Sequence, residues 1–368
     1  MKKLLASAAM LACFCSPLAV ADDDQDAGDR SQHAFTIAVF GDWPYSNILL
    51  NSAHLLVDSV NADPRVSLVL HVGDIHSGSF PCTGAGLNPV PAGSNPTWNE
   101  QIFAVFEQFR EPFVYTPGDN EWTDCHKTKE FSSGAPLNEL AAVRQLFFPT
   151  PGLTLGVEKR RVTTQAEHFN HIYPADAQYV ENVMWRQSQV VFVTVNIPGS
   201  NNDGLIWTAP FTDETARVRE AAQRTGAAIR WLDRAFARAE EEGAKAVVIG
   251  LQADMWDPAQ VAAGGDGLGN YTLFVHELAN RALHFRRPVL LLNGDSHLFG
   301  SDHPLADPTS ATGRIHGAPA VPNLTRITVQ GSTNAPSEWL RLTIDPHSPG
   351  VFSWQNVVYC NNPTVACP

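Results

Sequence analysis

The chain has 368 residues, of which 44% are apolar and 17% are charged, and its formal net charge is -13. This composition predicts a globular protein with a substantial core and argues against disorder. The negative charge argues against a nucleic-acid scaffold and against an anionic membrane surface as the main partner.

The first 21 residues have the features of an export signal. Lys2 and Lys3 precede an apolar stretch, and residues 19–21 (Ala-Val-Ala) form a small-residue cleavage pattern. A lipoprotein signal ending at Cys13 is an alternative, but its apolar segment would be very short. We therefore expect residues 1–21 to be a signal peptide.

Export has consequences for the rest of the chain. Residues 22–32 are acidic and are expected to form a flexible lead-in. No later stretch is long and apolar enough to span a bilayer, so we expect no transmembrane anchor in the mature chain. The predicted location is the periplasm or the medium outside the cell.

Four cysteines follow the signal, and four cysteines allow three disulfide pairings. Cys360 and Cys367 bracket a turn-rich loop, so a local disulfide is the simplest pairing within a C-terminal extension of residues 346–368. That choice pairs Cys82 with Cys125. An oxidising compartment makes four free thiols a poor alternative.

Seven short apolar runs follow one another along the chain, and each ends in glycine or a polar residue. They cover residues 35–40, 67–72, 112–116, 190–195, 246–250, 288–292 and 326–330. Because the runs do not alternate between apolar and polar residues, they predict strands buried on both faces.

Four amphipathic stretches predict helices between these strands, at residues 46–61, 97–110, 213–242 and 270–285. Gly226 predicts a break or kink in the third helix. The alternation of strands and helices predicts an α/β fold. Residues 149–189 interrupt the alternation and predict an insertion or cap within a domain of residues 33–345.

Polar side chains follow the predicted strands. The set comprises Asp42, Asp74, Asp119, Asn120, Gln252, Asp295 and His297. Because the carboxyl ends of parallel strands meet at one edge of a sheet, we expect these side chains to face one another. Four carboxylates at a buried edge repel one another, and divalent cations supply the missing counter-charge. The pattern therefore predicts a metal site.

The order of these motifs resembles the calcineurin-like metallophosphoesterase superfamily, and more closely its exported bacterial and fungal branch. The family has two Gly-Asp motifs, a Gly-Asn-His motif followed by an acid, an isolated histidine and a Gly-His-x-His motif. This chain has GDWP at 41–44, GDIHSG at 73–78, PGDNEW at 117–122, LQAD at 251–254 and NGDSH at 293–297. The resemblance covers residues 35–297 and implies a sandwich of two mixed β-sheets flanked by helices.

The chain departs from the family pattern at several positions. Only Asp42, Asp74 and His297 match the family ligands unaltered. Pro44 stands where the first motif usually has a histidine. Ser77 stands where the purple acid phosphatase branch has a tyrosine.

The resemblance implies two divalent ions bridged by Asp74. The first ion would take Asp42 and His297, helped by His76. The second would take Gln252, in the place of the isolated histidine, together with Asp295 and either Asp119 or Asn120, depending on a one-residue register. This ligand set is richer in oxygen than the family's usual one. It favours Mn²⁺ or Mg²⁺ over zinc and leaves room for iron.

The resemblance also implies hydrolysis of a small phosphate monoester or diester by a metal-bound hydroxide. Asn120 aligns with the family's catalytic histidine and cannot donate a proton as an acid. His76 and His126 are the candidate replacements. Asn196 and Asn201 follow another strand and are candidate substrate-binding residues, with an ordinary turn as the alternative.

The lost histidines leave a second interpretation open. A catalytically impaired protein of the same fold would act as a binding or structural module. The replacements remain polar, and buried polar groups are costly unless they are used, which favours catalysis. A serine hydrolase and a P-loop or dinucleotide-binding protein are disfavoured because their glycine-rich motifs are absent from the sequence.

Overall fold

The computed structural model describes residues 33–82 and 97–367. Within these ranges the strands form two mixed β-sheets flanked by helices, which confirms the predicted α/β sandwich. The predicted signal peptide and acidic lead-in lie outside the described residues. No helix of the described ranges is long and apolar enough to cross a membrane.

The first sheet has five strands in the order β12-β11-β1-β2-β3. Their bounds are β1 (Phe35–Phe40), β2 (Val66–His71), β3 (Phe113–Tyr115), β11 (Ser337–Ile344) and β12 (Phe352–Cys360). Strands β1, β2 and β3 are parallel, so their carboxyl ends reach the same edge. Strand β12, which lies in the predicted C-terminal extension, pairs antiparallel with β11 and belongs to this sheet.

The second sheet has seven strands in the order β4-β5-β6-β7-β8-β10-β9. Their bounds are β4 (Thr163–Thr164), β5 (Val183–Gln187), β6 (Val190–Thr194), β7 (Ala246–Gly250), β8 (Val289–Asn293), β9 (Gly300–Asp302) and β10 (Leu324–Thr328). Strands β6, β7, β8 and β10 are parallel. Residues 149–189 contribute β4 and β5 to one edge of this sheet.

Ten helical segments connect and flank the strands. They are α1 (Asn47–Asn51), α2 (Ala53–Asn61), α3 (Trp98–Phe106), α4 (Pro136–Phe147), α5 (Gln165–His168), α6 (Gly199–Asp203), α7 (Glu214–Glu241), α8 (Pro258–Ala262), α9 (Thr272–Phe285) and α10 (Ala311–Arg314). Short 3₁₀ helices cover Thr123–His126, Thr128–Glu130, Pro174–Gln178 and Asp266–Tyr271. Segment α6 is a single left-handed turn, since Ser200, Asn201 and Asn202 have φ between 51° and 58°.

The break predicted at Gly226 is wrong, because α7 runs through this residue without interruption. A glycine inside a helix costs about 1 kcal/mol relative to alanine. Burial of the neighbouring Ala228, Trp231 and Leu232 against the second sheet outweighs that cost. Packing of the apolar face therefore keeps the helix continuous at Gly226, despite the low helix propensity of glycine.

The core lies in three layers. Side chains from both sheets meet in the middle layer, among them Ile37 and Leu70 of the first sheet and Val248 and Leu290 of the second. Residues of α2, α3 and α4 cover the outer face of the first sheet, and those of α7 and α9 cover the second. Strand ends from both sheets are thus held by a rigid, fully packed interior.

Both predicted disulfides are confirmed. Cys82 and Cys125 join the segment after β2 to the 3₁₀ helix Thr123–His126. Cys360 and Cys367 close a short loop at the end of β12. The first disulfide therefore ties together two loops that follow neighbouring strands of the first sheet.

The two disulfides differ in the length of chain that they close, with sequence separations of 43 and 7 residues. Loop entropy predicts that Cys82→Ser with Cys125→Ser lowers the free energy of unfolding by about 4 kcal/mol. The matched pair Cys360→Ser with Cys367→Ser should lower it by about 2 kcal/mol. Urea denaturation measures both values, and a larger loss in the C-terminal pair would contradict the expectation.

Candidate metal centre

Two buried aspartates of the site lie just after the ends of β1 and β2. Asp42 has φ 49° and Asp74 has φ 61°, a left-handed conformation that is costly for residues other than glycine. The hydroxyl of Tyr45 lies within hydrogen-bond distance of both carboxylates, 3.1 Å from Asp42 Oδ1 and 2.8 Å from Asp74 Oδ2. Since this hydroxyl carries one proton, it donates to one carboxylate at a time.

The Asp74 carboxylate collects hydrogen-bond donors from three loops. Its Oδ2 accepts from Tyr45, from Asn120 Nδ2 at 3.0 Å and from Gln252 Nε2 at 3.2 Å. Its Oδ1 accepts from the backbone N–H of Asn120 at 3.2 Å. Asp74 is therefore the point at which the strand ends of the two sheets meet.

Asp295 and His297 follow β8 and also have left-handed backbones, with φ 74° and 65°. The backbone N–H of Asp295 lies 3.1 and 3.2 Å from the two oxygens of Asp42. His297 Nε2 lies 3.4 Å from Asp42 Oδ1, and its ring packs edge-on against Tyr45. His297 keeps 34% of its side chain exposed, so the site is open to solvent on this side.

Asp119 completes the group of carboxylates. Its Oδ1 accepts from Gln252 Nε2 at 3.0 Å, and its Oδ2 accepts from Ser200 Oγ at 2.7 Å. A Cβ on Gly199 would lie 2.8 Å from Asp119 Oδ1 and 2.7 Å from Asp295 Oδ1. Only glycine fits there, and the left-handed turn α6 packs its backbone against both aspartates.

The electrostatics reflect a surplus of negative charge. Burial, followed by the charges of Asp119, Glu121 and Asp42, raises the pKa of Asp74 well above its usual range. Burial and Asp119 likewise raise the pKa of Asp295. Burial opposes protonation of His297, but its contact with Asp42 raises the pKa of the imidazole overall. The carboxylates need a counter-charge to ionise together.

A metal ion fits part of this arrangement. Among the described residues, Asp42, Asp74 and His297 each offer one ligand atom, and these atoms all lie within 4.8 Å of one another. Two carboxylates and an imidazole form a suitable donor set for a divalent ion. Cys82 and Cys125 also approach a glutamate, but their disulfide removes the thiolates that a metal would need.

The predicted histidine candidates are both buried, but they differ in their surroundings. His76 Nδ1 contacts the backbone carbonyl of Ser77 at 3.1 Å, and its Nε2 has no hydrogen-bond partner. Burial lowers the pKa of His76 to about 4. His126 Nδ1 accepts from the backbone N–H of Thr208 at 3.0 Å, and burial lowers its pKa. Both imidazoles are therefore neutral at pH 7.

The predicted substrate-binding asparagines take part in contacts between loops. Asn196 is fully buried, and its Nδ2 donates to Glu181 at 2.9 Å. Asn201 Oδ1 accepts from the backbone N–H of Asn270 at 3.1 Å. These contacts place neither side chain against the carboxylate group, and their role in substrate binding stays a prediction.

Several site residues were not predicted from the sequence, namely Tyr45, Glu121, Lys127, Lys129 and Ser200. Glu121 Oε1 accepts from the Tyr115 hydroxyl at 2.6 Å, from the Gly118 N–H at 2.9 Å and from the Asp74 N–H at 3.0 Å. It thereby locks the loops after β2 and β3 together. The sequence signal for Glu121 was the acid in the PGDNEW motif at 117–122.

No protein-family model matches the chain, and no curated protein matches it significantly. Among solved structures, it is similar to GAP50, the anchor in the inner membrane complex of Plasmodium. The TM-score is 0.41 at 8% identity over 89% of each chain. It is also similar to a candidate alpha-L-fucosidase from Bacteroides thetaiotaomicron VPI-5482, with TM-score 0.28 and 10% identity over 82% of this chain and 88% of that one. These likenesses are too distant to indicate a function.

A buried glutamate beside the Cys82–Cys125 disulfide offers a test of these electrostatics. Glu130 is fully buried, its Oε1 has no hydrogen-bond partner, and burial with the charge of Asp124 raises its pKa to about 10. The unfolded chain releases this proton near pH 4.5, so folding takes up a proton between these two pH values. Stability contributed by Glu130 is therefore lost as the pH rises from about 4.5 to about 10.

Glu130→Gln has no proton to exchange. The wild type loses stability between pH 6 and pH 8 and the variant does not, so we expect the free energy of unfolding of the variant, minus that of the wild type, to be about 3 kcal/mol higher at pH 8 than at pH 6. Urea denaturation of both proteins at the two pH values measures this difference. An offset that does not change with pH would show that Glu130 is ionised in the folded protein.

Proposed function

We propose that the chain is a metal-dependent phosphoesterase that hydrolyses a phosphate monoester or diester. The main support is the group of four aspartates, Asp42, Asp74, Asp119 and Asp295, gathered beside His297 at the strand ends of both sheets. Such a group is costly to bury unless a cation balances its charge. This observation agrees with the motif order that resembles the metallophosphoesterases.

The backbone gives independent support. Asp42, Asp74, Asp295 and His297 all have φ between 49° and 74°. Each such residue costs of the order of 1–3 kcal/mol, and this kind of strain collects at functional sites. The fold therefore accepts strain at four positions in order to aim these side chains into one group.

Asp42, Asp74 and His297 would hold an ion, with Mn²⁺ or Mg²⁺ favoured over zinc and iron compatible. When bound, the ion would supply positive charge for a phosphate group and lower the pKa of a coordinated water. The chain's own residues would orient the ligands: Tyr45 spans the two aspartates, and the backbone N–H of Asp295 holds Asp42.

The histidine candidates fit different proton roles. Because His76 Nδ1 faces a carbonyl oxygen, its proton lies there, and Nε2 presents a lone pair that accepts a proton. His76 is thus better suited to act as a base than as an acid. His126 carries its proton on Nε2, because its Nδ1 accepts from Thr208. Because a neutral imidazole does not readily give up its N–H proton, His126 is the better candidate for a hydrogen-bond donor to the leaving group.

A second candidate function is a catalytically impaired binding module of the same fold. The observation that favours it is the orientation of Asn120 and Gln252, whose amide N–H groups donate to the carboxylates. Under either function, the two disulfides support export to an oxidising compartment, the periplasm or the medium.

Hydrolysis of p-nitrophenyl phosphate and bis(p-nitrophenyl) phosphate with Mn²⁺ tests the proposal. We expect Asp74→Asn to lower kcat/KM by at least about 100-fold, because it removes a ligand and a charge that the transition state requires. Asp266→Asn, at an exposed position in the 3₁₀ helix Asp266–Tyr271, is the matched control and should leave kcat/KM unchanged. A wild-type protein that binds Mn²⁺ but hydrolyses neither ester would favour the binding module.

A further inference from the structure

We infer that this centre binds a single divalent ion, at Asp42, Asp74 and His297, and that hydrogen-bond donors of the chain fill the place of a second ion. The inference deepens the proposed function and rests on it only in treating the centre as a cation site. It departs from the two-ion centre that the motif resemblance implies.

Gln252 provides the first observation. Its Nε2 lies 3.2 Å from Asp74 Oδ2 and 3.0 Å from Asp119 Oδ1, while its Oε1 accepts from the backbone N–H of Gly199. Turning the amide over would set its N–H groups against the Gly199 N–H and its oxygen against two carboxylates. The orientation is therefore fixed, and the amide presents donors where the second ion would need a ligand.

Asn120 provides the second observation. Its Nδ2 donates to Asp74 Oδ2 and to the backbone carbonyl of His76, both at 3.0 Å. A carbonyl oxygen only accepts, so this amide is also held with its N–H groups toward the carboxylate. An amide nitrogen does not serve as a ligand to hard divalent ions, which prefer oxygen. Neither amide can therefore coordinate the second ion.

The coordination of Asp74 limits the number of ions further. The Asp74 carboxylate already accepts four hydrogen bonds, from Tyr45, Asn120 and Gln252 at Oδ2 and from the backbone N–H of Asn120 at Oδ1, whereas a bridging carboxylate needs lone pairs for two ions. The Tyr45 hydroxyl has one proton and a second carboxylate within reach, that of Asp42 at 3.1 Å, so it can turn away from Asp74. Gln252 also reaches a second carboxylate, that of Asp119, but its amide carries two N–H groups and the Gly199 contact holds Nε2 against both carboxylates. Tyr45 can turn away from Asp74 and free a lone pair of its carboxylate for one ion. The two amides cannot turn away, so they free no lone pair for a second ion.

Two lysine side chains supply part of the positive charge that a second ion would have supplied. Lys127 Nζ donates to Asp124 at 2.5 Å and to Ser200 Oγ at 2.7 Å, and Ser200 Oγ contacts Asp119 at 2.7 Å. Lys129 Nζ lies 3.3 Å from Asp124. Asp119 is thus linked through one hydroxyl to an ammonium group, which gives its charge a partner that is not a metal.

Equilibrium dialysis of the exported chain against Mn²⁺, followed by elemental analysis, counts the bound ions. We expect one ion per chain in the wild type, no ion in His297→Ala, and one ion in Asp119→Asn, since Asp119 is not a ligand. Gln252→Glu is nearly isosteric, still accepts from Gly199, and replaces the donors by a carboxylate oxygen. We expect this variant to bind two ions per chain.

The outcomes distinguish failure of the single-ion inference from failure of the proposed function. Two ions in the wild type, or loss of the ion in Asp119→Asn, would overturn the single-ion inference and leave the proposed function standing. No ion in a wild type that is folded by circular dichroism would overturn both. A folded Gln252→Glu that still binds one ion would show that the Gln252 amide is not what excludes the second.

Discussion

Repulsion between buried like charges is the constraint on which this centre depends. Asp42, Asp74, Asp119 and Asp295 are brought together at the strand ends of two sheets, and burial raises the pKa of the last three. Repulsion within the group adds to this pKa shift at Asp74 and Asp295, and the charge of Asp124 adds to it at Asp119. The surrounding chain responds with donors: a tyrosine hydroxyl, two amides and several backbone N–H groups. The partly exposed His297 and an ion beside it would supply the remaining positive charge.

The fold holds the charged side chains close together by fixing the strand ends and loops that carry them. Parallel strands in both sheets end at one edge, and a fully packed layer between the sheets fixes their relative position. Glu121 and the Cys82–Cys125 disulfide then join the loops after β2 and β3, while α6 packs against the group from the second sheet. Rigid loops keep strained residues in place, because relaxation would break several contacts at once.

The sequence predicted the central strands well, because buried parallel strands are continuous apolar runs. The polar side chains that follow these strands lie together at one edge, as the ends of parallel strands require. Strand β12 was missed since most of its side chains are at least partly exposed. Tyr45 was missed because nothing local distinguishes a buried tyrosine that spans two carboxylates from one that packs in the core. The orientation of Gln252 depends on Gly199, 53 residues away, and only the folded chain brings the two together.

The dependence of the buried carboxylates on a cation is tested most directly by thermal unfolding of the wild type in a chelator and in saturating Mn²⁺. A ligand that binds only the folded state at 100 times its Kd adds about 2.7 kcal/mol of stability. For a chain of this size, that corresponds to a rise in Tm of roughly 5 °C, which Asp74→Asn should abolish. Equal Tm values in chelator and Mn²⁺ would contradict the presence of a cation site in this group of aspartates.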